Sequence, residues 1–120
     1  MYVTVKCSES LTIGNVVSYS NLSNQWELAS SLTEEISVVK SLPENIGTDE
    51  VPQYVCKIIV SGVAHCVASR DVPTQGGQLN VENGKVFVDN SLTESFGFIV
   101  PKDINEADRV INSTVRIVLR

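Results

Sequence analysis

Apolar and polar residues alternate over short runs rich in Val, Ile, Tyr and Phe, and the runs are broken by Gly, Asn, Ser and Pro. A period of two places successive side chains on opposite faces, so the pattern predicts half-buried strands separated by turns. Strands are expected at Tyr2–Cys7, Asn15–Ser20, Gln25–Ala29, Glu35–Lys40, Gln53–Ser61, Val63–Ala68, Gln78–Val81, Lys85–Asp89, Phe96–Val100 and Thr114–Leu119. The sharpest turn is Glu82-Asn83-Gly84-Lys85, where Asn-Gly supplies the two positive-φ positions of a type I′ hairpin. A longer loop, Ser20–Gln25, joins the strands before and after it in the same way.

Two stretches also fit helices. Leu32, Ile36, Val39 and Leu42 fall at helical spacing, and Ser31 with Glu34 resembles a capping box. Asp103–Val110 fits one short helix opened by Asp103 and Glu106. The first of these is better read as a strand, because the tetrapeptide SLTE occurs twice, at Ser31–Glu34 and Ser91–Glu94, with comparable flanks. "QWELAS" precedes one copy and "GKVFVDN" the other; "EISVV" follows one and "SFGFIV" the other. Later, "YVCKIIVSG" stands opposite "STVRIVLR", with Lys57 against Arg116.

The repeating unit is a hairpin, an SLTE corner, a strand, a loop and a final strand, at about 14–62 and 77–120. Leu32 and Leu92 would plug the core at the corners, while Thr33, Glu34, Thr93 and Glu94 would satisfy turn backbone groups. The expected fold is all-β: a single domain over 1–120, forming a small β-barrel or sandwich from these two pseudo-repeated units. It would carry an N-terminal strand or arm at 1–9 and at most one short helix near 103–110. Closing the sheets removes exposed edges that invite aggregation.

Bulk properties narrow the function. A chain of 120 residues supports one modest core. Its formal net charge is −5, and its Lys and Arg residues are scattered along the chain, so no basic patch for nucleic acid is expected. The start, "MYVTVKCSES", has neither the basic region nor the apolar run of a signal peptide, and "IIV" and "FIV" are far too short to cross a bilayer. Cys7, Cys56 and Cys66 are an odd set without metal-ligand spacing, which points to reduced thiols and cytoplasmic assembly. The sequons at Asn21 and Asn112 carry no weight without a secretion signal.

Chemistry is sparse. The lone His65 stands beside Cys66 in "VSGVAHCV", but neighbours on a strand face opposite ways, so a Cys–His dyad is not expected. The carboxylates Glu34, Glu35, Glu44, Asp49 and Glu50 gather in and around the Pro43–Pro52 loop without calcium-loop spacing, and read as a solvated loop. Gly76-Gly77 follows no strand-to-helix pattern and is no phosphate loop. Tyr19 and Trp26 flank the first hairpin loop and could stack on a sugar ring, although a lone Trp in so small a β-domain more often anchors the core. The residues therefore predict no catalytic, metal or cofactor site, and the chain reads as a non-enzyme.

Taken together, "GNVVSY", "QWELA", "EEISVVKSL", "VSGVAHCV", "GGQLNVENGKVFV" and "FGFIVP" resemble tailed-phage virion proteins. The pattern is similar to small β-barrel capsid decoration (cement) proteins and related modules of phage head and fibre proteins. This resemblance implies a non-catalytic protein on the outer surface of the virion capsid, assembled in the host cytoplasm. Its implied partners are the major capsid protein and itself, commonly as a homotrimer, without nucleic acid or membrane. Tyr2, Val3, Thr4 and Val5 would then form an arm that adds a strand to a neighbour. The chief rival is a carbohydrate- or receptor-binding fibre module using Tyr19 and Trp26; a small bacterial structural or regulatory barrel is the third reading.

Overall fold

The computed structural model describes residues 1–120 apart from Thr33, Glu34 and Glu94. Two antiparallel sheets pack together. The strands are β1 (Tyr2–Lys6), β2 (Val16–Ser20), β3 (Gln25–Leu28), β4 (Ile36–Val39), β5 (Glu44–Asn45), β6 (Tyr54–Ile59), β7 (Gly62–Val67), β8 (Gly77–Glu82), β9 (Lys85–Val88), β10 (Gly97–Ile99) and β11 (Thr114–Leu119). The all-β expectation holds, with a strand observed in each stretch read as one. Among the described residues there is no helix; Asp103–Glu106 makes only a turn, in which the Glu106 N–H donates to the Asp103 carbonyl.

The first sheet runs β1-β6-β4-β2-β3, with β5 added beside β6; the second runs β7-β11-β10-β8-β9. The two orders are the same path, each with an initial strand, a hairpin, a returning strand and a final strand that pairs with the initial one. The register agrees as well. Val39 faces Ile58 as Ile99 faces Ile117, and Val5 faces Cys56 as Cys66 faces Val115. Both sheets coil until the chain after the initial strand meets the far edge through a parallel bridge, Cys7 to Trp26 and Ala68 to Val86. The Ser8 N–H donates to the Trp26 carbonyl at 2.9 Å, and Ser69 to Val86 at 2.8 Å.

Each coiled sheet encloses apolar side chains, and a buried loop residue stops one end: Leu11 in the first, Val72 in the second. The smaller cluster holds Cys7, Leu11, Val17, Val39, Cys56 and Ile58. The larger cluster fills the second sheet with Leu79, Val86, Ile99 and Ile117 and continues into Val16, Ala29, Ile36 and Val38 of the first. The first sheet is thus buried on both faces around β4, all four of whose residues are inside.

The join between the sheets is also backbone. Asn83 and Gly84, with φ of 48° and 76°, form the predicted hairpin turn. Gly84 donates its N–H to the Ala29 carbonyl at 2.7 Å, and its own carbonyl accepts from the Val16 N–H at 2.8 Å. The Arg109 guanidinium is buried and donates from Nη2 to the Pro73 carbonyl at 2.8 Å and from Nη1 to the Val100 carbonyl, which ties two long loops together. At the SLTE corners Leu32 is half-buried against the large cluster, Leu92 is half-buried and Thr93 is exposed. The turn roles expected of Thr33, Glu34 and Glu94 lie outside the described residues.

Candidate interaction surface

The expected chemistry does not converge. His65 is exposed and Cys66 is buried on the opposite side of β7, as strand parity requires. Burial pushes the Cys66 thiol up to about 12; Cys7 is raised to a similar value by burial and by its hydrogen bond with Cys56. All three cysteines are free thiols inside the core. The acidic loop is organised by Asn45, whose Oδ1 accepts from the Gly47 N–H at 2.9 Å and the Gln53 N–H at 3.1 Å. Among the described residues no group of three or more His, Cys, Asp or Glu is placed to hold a metal ion.

Tyr19 and Trp26 are cross-strand partners on β2 and β3. Their rings meet edge to face, 6.1 Å between centroids and 69° apart, and Trp26 is half-buried against the smaller apolar cluster. That geometry anchors the hairpin and presents no flat two-ring platform. A polar groove of about 510 Å³ runs nearby between Lys6–Glu9, Ser23–Gln25 and Pro52–Tyr54. In it Glu9, hydrogen-bonded to Tyr54, raises the phenol above its ordinary range. On the outer face of the second sheet, Val63, Val118 and Phe98 lie side by side across β7, β11 and β10, with Val63 and Phe98 exposed.

The initial strand is the more developed surface. Far from a loose arm, Tyr2–Lys6 is paired along its length with β6, from Tyr2 opposite Ile59 to Lys6 opposite Val55. The Cys7 N–H donates to the Tyr54 carbonyl, and the Met1 carbonyl accepts from the Val60 N–H. Antiparallel alternation then points the backbone groups of Val3 and Val5 inward to β6, and those of Tyr2 and Thr4 outward. β1 ends its sheet, so beside Tyr2 and Thr4 this outward edge pairs with no strand among the described residues, while its continuation at Cys7 and Ser8 meets β3. Strand addition at Tyr2–Val5 is therefore possible only along that edge.

Beside the edge the fold assembles a cationic patch that linear inspection missed. Lys57 of β6 lies opposite Thr4, and the Lys40 N–H at the end of β4 donates to the Lys57 carbonyl. Both ammonium groups approach the half-exposed Tyr2 ring, Lys40 at 3.8 Å from its centroid and Lys57 at 5.4 Å. Lys6 shares this face with Tyr2 and Thr4 by strand parity. The ion pairs found among the described residues, Arg70–Glu82 and Lys102–Asp108, lie elsewhere. Glu44 of β5 borders the patch opposite Val55. The three lysines are remote in sequence, and only the β1–β6–β4 register brings them together.

No family model matches the chain, and no curated protein matches it. Among solved structures it is similar to the N-terminal base of the head fibre protein gp8.5 of bacteriophage phi29. The TM-score is 0.59 at 13% identity, covering 100% of this chain and 95% of that one. The likeness is one of fold, and it extends over the whole path of both sheets.

Proposed function

We propose that this chain is a structural protein of a tailed-phage virion, seated on the outer capsid surface as the base of a fibre or as a decoration. The observation that carries the reading is the end-to-end correspondence with a phage head-fibre base. The surface agrees with it: a strand edge unpaired among the described residues and flanked by lysines suits docking onto another protein. The partners are the major capsid protein and further copies of this chain, in a homotrimer, with no enzymatic activity.

The test uses the purified chain with virions and empty capsids from the genome that encodes it. The chain should be found in gradient-purified virions by mass spectrometry and should co-sediment with capsids to a saturating ratio. Light scattering should give three copies per particle of free protein. Absence from purified virions, together with no sedimentation with capsids, would sink the proposal.

A further inference from the structure

The correspondence between the two sheets sets the bare edge of β1 beside its counterpart in β7. In the second sheet the counterpart of β1 is β7, and Gly14, in the turn before β2, comes so close to its edge that a Cβ there would stand 3.3 Å from the His65 carbonyl oxygen. Ala64, packed in the large apolar cluster, is 1% exposed, whereas its counterpart Val3 is 40% exposed. Both strands end their sheets, but the β7 edge is approached from within the chain at His65.

We infer that the outer edge of β1 takes an added strand from a different protein, and that this strand alternates apolar and acidic residues. The inference rests on the capsid reading above and names the chemistry of the contact. Main-chain bonds would form to the outward N–H and C=O groups of Tyr2 and Thr4. On one face the incoming side chains meet Val3 and Val5; on the other they meet Tyr2, Thr4 and Lys6, with Lys57 one strand further in opposite Thr4 and Lys40 behind the Tyr2 ring. An apolar–acidic alternation matches both faces, and a basic strand would set like charges against the patch.

A second copy does not fit the same way. It would have to present the counterpart of the Gly14–Val16 end, which lies beside His65 and bonds to Gly84; that counterpart is Gly76–Gln78 with Asp89. There the Gln78 N–H already donates to its own Asn90 Oδ1 at 2.9 Å. With its amide nitrogen turned inward, the Gln78 side chain also reaches the Asp89 and Leu92 carbonyls, each at 3.3 Å. The seat that a second copy would offer is filled by its own side chains.

Thr4→Pro is the discriminating variant. Its N–H faces outward, so proline removes a docking donor without breaking a bond to β6. The probe is a synthetic eight-residue peptide of alternating Val and Glu, with an alternating Val–Lys peptide as control. The Val–Glu peptide should shift the amide resonances of Tyr2 and Thr4 and bind at least tenfold more tightly than the control. Thr4→Pro and the double variant Lys40→Glu/Lys57→Glu should each lose at least tenfold while melting like the parent, and the charge reversal should favour the Val–Lys peptide. Equal binding of the two peptides by the parent, or undiminished binding by Thr4→Pro, overturns the inference. Wild-type oligomers that Thr4→Pro converts to monomers would assign the edge to a second copy and overturn it too. Capsid co-sedimentation separates the two proposals: if Thr4→Pro sediments with capsids as the parent does, the edge inference fails and the virion reading stands. If the parent never sediments while the peptide pattern holds, the virion reading fails alone.

Discussion

Gly84 is where the two sheets depend most on one backbone position, and replacing it with alanine separates two costs. Its φ of 76° lies in the left-handed region, where an L-residue pays about 1–2 kcal/mol. Alanine recovers about 0.4–1 kcal/mol by restricting the unfolded chain. The second cost is steric: the new Cβ would fall on the Leu28 side chain at its Cδ1 and 2.7 Å from its Cγ. Leu28 is 47% exposed and can swing aside, so this adds roughly 1 kcal/mol of lost packing rather than a core rupture. Gly84→Ala should therefore cost about 2 kcal/mol in the parent and about 1 kcal/mol in a Leu28→Ala background. The assay is urea unfolding of the four proteins of the double-mutant cycle, and the expected coupling is about 1 kcal/mol. Equal costs in both backgrounds would refute the steric part. A cost near zero in both would refute the backbone part, the penalty assigned to the left-handed φ.

Ile58 and Ile117 occupy corresponding places and are both fully buried, so truncation of either to alanine should cost about 2–5 kcal/mol. Because apolar packing continues from one sheet into the other, each variant should lower one shared calorimetric transition; two separated transitions would contradict that. Arg109→Met keeps the aliphatic stem but removes both carbonyl contacts, and should cost about 2 kcal/mol and speed exchange at the Val72 amide, which bonds to the Arg109 carbonyl. The raised Cys66 thiol keeps its proton in the folded state after the unfolded chain has lost it. Its contribution is therefore complete below pH 9 and fades as pH rises toward 12, by about 1.4 kcal/mol per pH unit. Urea midpoints at pH 8 and pH 10 should converge more closely in Cys66→Ala than in the parent; an unchanged gap would rule out this cause.

The ten longer strands were legible because most of them bury one face, leaving period-two alternation in the residues. The ambiguity at Ser31–Leu42 has a physical source: β4 is covered on both sides, so Ile36, Ser37, Val38 and Val39 show no alternation to exclude a helix. β5 was invisible, since Glu44 and Asn45 are both exposed and too short to carry a pattern. The correspondence of β1 with β7 was also hidden, because Tyr2–Lys6 and Gly62–Val67 share a place in the pairing order and almost no side-chain chemistry. His65 and Cys66 could be separated from parity alone. The patch of Lys6, Lys40 and Lys57 could not be found, because it depends on which strands become neighbours.

Two like units that interlock through a giving end and a receiving edge contain the rule for an unlimited polymer, since every added chain would expose the same pair again. Here one giving end is spent inside the chain, on Gly84, and the other is closed by the Asn90 side chain. On the proposed reading a single amide would act as a chain terminator, blocking repetition of the contact and leaving growth to a partner that brings its own strand.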